Sequence, residues 1–221
     1  MRANERQAAA NNGRCVVSKT KIKIALPIGD PAGIGPEICL KAALDAAVRA
    51  ACEPVLIGDA SIVERHASLC GLAADVRAVA RIGDAEWHDT RVNVLNCAQP
   101  GASDIPLGEV SAAAGRASIA FCAAAIEAAR SGEVDAVVAA PQNETSIAQA
   151  GIKFDGHPSF VARQTGTAEG AVYMMLCFGE TKIAHVTLHR SVREALAQIT
   201  RDNVERTIRA TGEALRRLGI A

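Results

Sequence analysis

Three groups of residues have types and spacings that could do chemistry. The first is the run Gly29-Asp30-Pro31-Ala32-Gly33-Ile34-Gly35-Pro36-Glu37. Its glycines would let backbone approach a ligand closely, with Asp30 as the carboxylate beside it. The spacing is not GxGxxG, and two prolines withhold N–H donors that a phosphate cradle would use, so a tight turn capped locally by Asp30 is an equally good reading. The second group is TKIAHVTLH, residues 181–189. On a regular strand His185, Thr187 and His189 point to one face. Two histidines four residues apart are then roughly 13 Å apart at Cα, too far to share one cation. His189, where the strand meets a loop, is the better metal-ligand candidate; His185, inside the strand, reads as a core or interface histidine. The third is His157 in GHPSF, read as a loop with an aspartate just before it. Loops on a rigid scaffold carry function more often than helices do, and an exposed loop histidine is the plain alternative. His66 and His88 read as solitary residues on polar surfaces and carry no assignment.

The elements that must position these residues alternate. Residues 21–29, KIKIALPIG, form a β-branched run that ends in glycine, and residues 36–50 read as one helix with Pro36 in its first turn and Glu37 at its positive end. Strand-like runs follow at 54–59, 76–82, 92–97 and 135–141, the last as a buried strand, with a helix over 61–72. The strongest helix prediction covers 111–134, where Gly132 stands as a C-terminal cap. A short helix at 143–152, a loop at 151–160 and a strand pair at 171–179 and 181–189 come next. A final helix starts at Thr200, with Val204, Ile208, Leu215 and Leu218 on roughly one face. The turn-rich stretch 97–108 is the candidate crossover between two lobes. Alternation of this kind implies an α/β fold with a mostly parallel sheet and helices on both faces.

Composition narrows the function. A chain of 221 residues that is 49% hydrophobic can bury a real core. Lysine plus arginine equals aspartate plus glutamate at 24 each, and aromatics are 3%, which argues against nucleic acid and acidic membrane surfaces and for a small polar ligand. No apolar stretch is expected to reach membrane-spanning length, and residues 1–20 read as a disordered leader without a signal-peptide core. The seven scattered cysteines, with no CxxC pair, suit reduced thiols in a cytoplasm.

Four segments, IGDPAGIGPEI, GEVDAVVAAPQNE, AGIKFDGHPSF and IAHVTLHRSVREAL, occur in an order that resembles the 4-hydroxythreonine-4-phosphate dehydrogenase family from Lys21 to Ala221. The resemblance implies a fold similar to isocitrate and isopropylmalate dehydrogenases, two lobes around a cleft, and a homodimer. It also implies NAD- or NADP-dependent oxidation, with decarboxylation, of a small β-hydroxy acid, assisted by a divalent metal (zinc, cobalt or magnesium) and serving pyridoxine biosynthesis. In that resemblance His189 matches a metal ligand, while His157, Asn143 and Asp30 are matched to substrate contacts. The metal would lower the alcohol's pKa before hydride transfer and stabilise the enolate after carbon dioxide leaves. Three departures stand out. Pro158 replaces a substrate-contacting threonine, Glu144 replaces a lysine, and the sequence stops before two further metal histidines, a substrate lysine, asparagine and arginine, and most of the NAD site. The wording PxxET and HVTLHxSVR is closer to the branch that oxidises a cis-dihydrodiol dicarboxylate made from terephthalate. The C-terminal part is therefore expected to be missing, and a non-catalytic lobe that only binds or dimerises is the third reading.

Overall fold

The computed structural model describes residues 21–101, 104–168, 171–188 and 190–220. The expected leader, residues 1–20, and the candidate ligand His189 lie outside the described residues.

Five strands, β1 (Ile22–Pro27), β2 (Cys52–Gly58), β3 (Asp75–Val79), β4 (Arg91–Asn96) and β5 (Ala136–Val137), form one parallel sheet in the order β3-β4-β2-β1-β5. Apolar residues on both sides of a strand require cover on both faces. Leu26, Leu56, Val92 and Val94 join one core cluster with Leu40 and Ala43 of α1 (Gly35–Leu44) and Ile62 and Val63 of α3 (Ala60–Leu69). Ala25, Val55 and Ile57 point the other way, toward Ala125 and Ala128 of α4 (Ala112–Arg130). The α/β architecture with helices on both faces is thus present as the sequence implies.

Several elements differ in detail. The single helix expected over 36–50 is two, because the Asp45 side chain accepts the N–H groups of Ala47 and Val48 and starts α2 (Ala46–Ala51) afresh. The strand expected to be buried at 135–141 is the sheet's edge, with Val138 57% exposed. Its pairing with β1 nevertheless runs past Val137, since Ala140 N–H donates to Pro27. By length and composition α4, 19 residues with mean hydropathy 1.3, meets the test of a membrane span, contrary to expectation. Half of that window is buried, and Ala117, Phe121 and Ala125 pack into the core, which accounts for its apolarity. The six described cysteines are free thiols, and burial pushes Cys39 up to about 12 and Cys122 to about 11.

Beyond this unit come α5 (Glu144–Gln149), α6 (His157–Thr165), and the antiparallel pair β6 (Met175–Phe178) and β7 (Thr181–Ala184). The chain continues through α7 (Val192–Gln198), which starts at a Ser191–Glu194 capping box, into α8 (Arg201–Arg217). Thr200 caps α8 as expected, accepting from Asn203 N–H. The turn-rich stretch 97–108 leads from β4 toward α4.

Candidate functional site

The glycine-rich loop leaves the carboxyl end of β1, where parallel sheets bind ligands. Gly29 has φ +71°, and a Cβ there would stand 2.3 Å from Pro141 O, so only glycine fits beside the end of β5. Asp30 is 6% exposed. Its carboxylate accepts Ala32 N–H at 2.8 Å, and its own N–H donates to Pro141 O at 3.0 Å. Burial raises the Asp30 pKa, and the Ala32 N–H and the nearby Ser146 side chain oppose that rise. Both halves of the sequence reading of this loop are therefore physically joined: Asp30 caps a tight turn, and it does so at the strand ends.

His66 is not on a polar surface. It is 6% exposed, and Nε2 lies 3.2 Å from Pro31 O, beneath the loop. Burial lowers its pKa, so the neutral ring with Nε2–H donating to Pro31 is the form that fits. Gly108 N–H holds the loop from another side, at 2.8 Å from Ala32 O.

Asn143 is the N-cap of α5, its Oδ1 accepting Ser146 N–H at 2.9 Å. Ser146, fully buried, stands between the two candidates: it lies beside the Asp30 carboxylate, its N–H serves Asn143, and its Oγ accepts Ser111 N–H at 3.3 Å. Sequence reasoning missed Ser146, although Asn-x-x-Ser at a helix start is a capping spacing. Glu144, the residue that departs from the family's lysine, occupies the first turn of α5, where a negative charge complements the helix end.

His157 is not in a loop. It is the first residue of α6, after Gly156 at φ 89°, with Pro158 in the first turn. The Phe154 ring meets it edge-on at 5.6 Å. Its Nε2 is buried and has no partner among the described residues, and burial lowers its pKa. The ring borders a groove of about 500 Å³ with Cys122, Val137, Ala139 and Val161.

A second cavity, also about 500 Å³, lies between residues 153–159, the end of the β6–β7 hairpin and α8. Pro158 and Ser159 bring to it the segment after His157, and Leu188 and Arg190 flank position 189. His185 is past the end of β7, and its Nδ1 lies 3.3 Å from Met174 O, so its ring is satisfied by backbone. Among the described residues no three His, Cys, Asp or Glu side chains group closely enough to hold a cation. The structure thus brings Asp30 and Asn143 together through Ser146, and places His157 on a separate groove.

A sequence model of one family, described as pyridoxal phosphate biosynthetic protein PdxA, matches residues 50–221. A D-threonate 4-phosphate dehydrogenase of Cupriavidus necator is 34% identical over 90% of this chain and 59% of its own length. The structure of a 4-hydroxythreonine-4-phosphate dehydrogenase from Klebsiella pneumoniae superposes with TM-score 0.83 at 30% identity, over 90% of this chain and 61% of that one. A terephthalate 1,2-cis-dihydrodiol dehydrogenase from Burkholderia xenovorans gives TM-score 0.67 at 41% identity, over 91% and 59%. The chain spans about three-fifths of the length of the relatives it matches.

Proposed function

The chain belongs to the PdxA family, and on that premise we propose that it serves the oxidation of a β-hydroxy acid, with NAD or NADP as hydride acceptor. The phosphorylated hydroxy acids named for its relatives are the leading substrate class. What supports the reading is one arrangement: Ser146, bonded through its N–H to Asn143, lies beside the buried Asp30 carboxylate at the carboxyl ends of β1 and β5. In this proposal Asn143, whose Oδ1 is fixed by the helix start, offers its amide N–H groups to a substrate oxygen. Asp30, raised in pKa and held by the Ala32 N–H, is a fixed acceptor for a substrate hydroxyl. His157, on its separate groove, is proposed as a further substrate contact on the resemblance; its Nε2 lacks a partner among the described residues, and a substrate oxygen that reached it would supply one.

The described residues do not by themselves make a cation site. His189 is proposed as a metal ligand on the resemblance alone, and no step is drawn through it. A homodimer belongs to the same proposal.

A second reading, oxidation of a cis-dihydrodiol dicarboxylate, is favoured by the 41% identity to the terephthalate dihydrodiol enzyme. The test is NAD reduction by the purified chain with each substrate class, with and without added zinc or cobalt. Turnover with a phosphorylated acid supports the first reading and turnover with the dihydrodiol the second. No turnover with either, under any metal, leaves a lobe that only binds.

A further inference from the structure

The cavity between residues 153–159, the hairpin and α8 carries a charge pattern that the family resemblance did not single out. Its charged lining is Lys153, Arg190 and Arg206 against one carboxylate, Asp155. That carboxylate is already engaged, lying 3.4 Å from Lys153 Nζ and 3.5 Å from Arg163. Neither Arg190 nor Arg206 has a described carboxylate within ion-pairing distance, whereas Arg209, Arg216 and Arg217 of the same helix each pair with a glutamate three or four residues away. Arg190 feels Glu194 and Arg206 lies beside Asp202 and Glu205, yet the cavity lining itself carries three cations to one carboxylate, and an anion bound between them offsets that excess.

The floor beneath them is hydrogen-bonded within α8 and to the end of α7. Thr207 is 4% exposed, with its hydroxyl donating to Asn203 O at 2.8 Å. Asn203 is anchored through Nδ2 to Gln198 O and accepts from the Arg206 guanidinium at Oδ1. This bond uses one of five guanidinium donors and orients the others.

We propose that this cavity is an oxyanion subsite in which Arg206 and Arg190 receive a carboxylate or phosphate group. The assignment deepens the reading above, on which it rests only for calling the ligand a substrate. A bidentate arginine–oxyanion contact needs no metal and no nucleotide, so binding is measurable without either.

The experiment titrates the whole chain, free of NAD and added metal, with inorganic phosphate and separately with benzene-1,4-dicarboxylate, followed by calorimetry. Arg206→Gln and Arg190→Gln are compared with Arg209→Gln, which removes the same charge from α8 outside the cavity, and circular dichroism checks that each variant is folded. The expected result is saturable binding of at least one probe, weakened about tenfold or more by the first two variants and little by the third. The probe that binds more tightly identifies the source of the oxyanion. Absence of saturable binding to wild type overturns the proposal, as does an equal loss in Arg209→Gln, which marks non-specific charge. A chain that binds a probe at Arg206 but never reduces NAD defeats the functional reading alone; one that turns over with an unchanged KM in Arg206→Gln defeats this subsite alone.

Discussion

Ser146 carries more of the candidate site than its size suggests, because one buried hydroxyl accepts a backbone N–H from another segment and lies beside the Asp30 carboxylate. Ser146→Ala removes the polar group beside Asp30 and leaves Ser111 N–H without its acceptor. The expected cost is about 1–3 kcal/mol, read as a lower urea midpoint at unchanged slope. Asp30→Asn should behave oppositely. The folded pKa of Asp30 is raised, so its protonated form favours folding, a contribution fully present below the ordinary carboxylate pKa and lost as pH rises through the folded value. The amide avoids the buried charge and can still accept from Ala32, so the variant should gain on wild type in melting temperature as pH rises, while losing turnover. An advantage that shrinks with rising pH would contradict the assignment. His66 and His157 have lowered pKa values, so their contribution is intact above the ordinary histidine pKa and is lost as pH falls through the folded values. His66→Gln can still donate to Pro31 and should flatten the acid limb of the stability profile; an unchanged limb assigns it to other groups. His66 was legible only in part. It follows Ile62 and Val63 at helical spacing on the buried face of α3, but its polarity disguised a position that the loop above needs filled.

At the scale of elements, what positions Asn143 and Ser146 is the contact between α5 and α4. A Cβ at Gly115 would stand 2.2 Å from Ser146 O, a backbone atom that cannot turn aside. Gly115→Ala should therefore push α5 outward, costing about 1–3 kcal/mol as overpacking does, and should damage the site as well as the fold. Asn143→Ala removes the cap together with the proposed substrate contact and should cost about 1 kcal/mol of stability. If Gly115→Ala leaves stability and substrate KM unchanged, close helix packing does not set the site. The sequence made the strand-loop-helix order plain because apolar runs, glycines and prolines alternate with little ambiguity. It hid the Asp45 break inside alanine-rich sequence, and it hid the end of β7 at Ala184, since pairing partners rather than side-chain alternation decide where a strand stops. Likewise, His157 was read into a loop because glycine and proline flank it, although proline also suits a helix's first turn.

Across the whole molecule, burial is uneven in a way that no local pattern announces. The residues of the four core clusters all precede Ala162, and among the described residues beyond 170 only Thr207 is buried. One face of the hairpin, with Leu176 opposite Ile183 and Phe178 two residues on, is open to solvent, as is Leu196 in α7. Regions that bury little apolar surface open at low free energy, independently of the rest. Native-state hydrogen exchange should therefore find amides of β1, β2 and β4 protected to the level of global unfolding, and those of β6, β7 and α8 exchanging about a hundredfold faster or more. The exposed face also makes self-association the expected response to concentration. Repeating the exchange at low and high protein concentration separates the two effects. Protection of β6 and β7 that rises with concentration means that copies of the chain cover the hairpin. Uniformly high protection at the lowest concentration would mean that the hairpin and α8 share the stability of the parallel sheet despite their exposure, and that the open cavity beneath Arg206 is held as rigidly as Asp30 and Asn143.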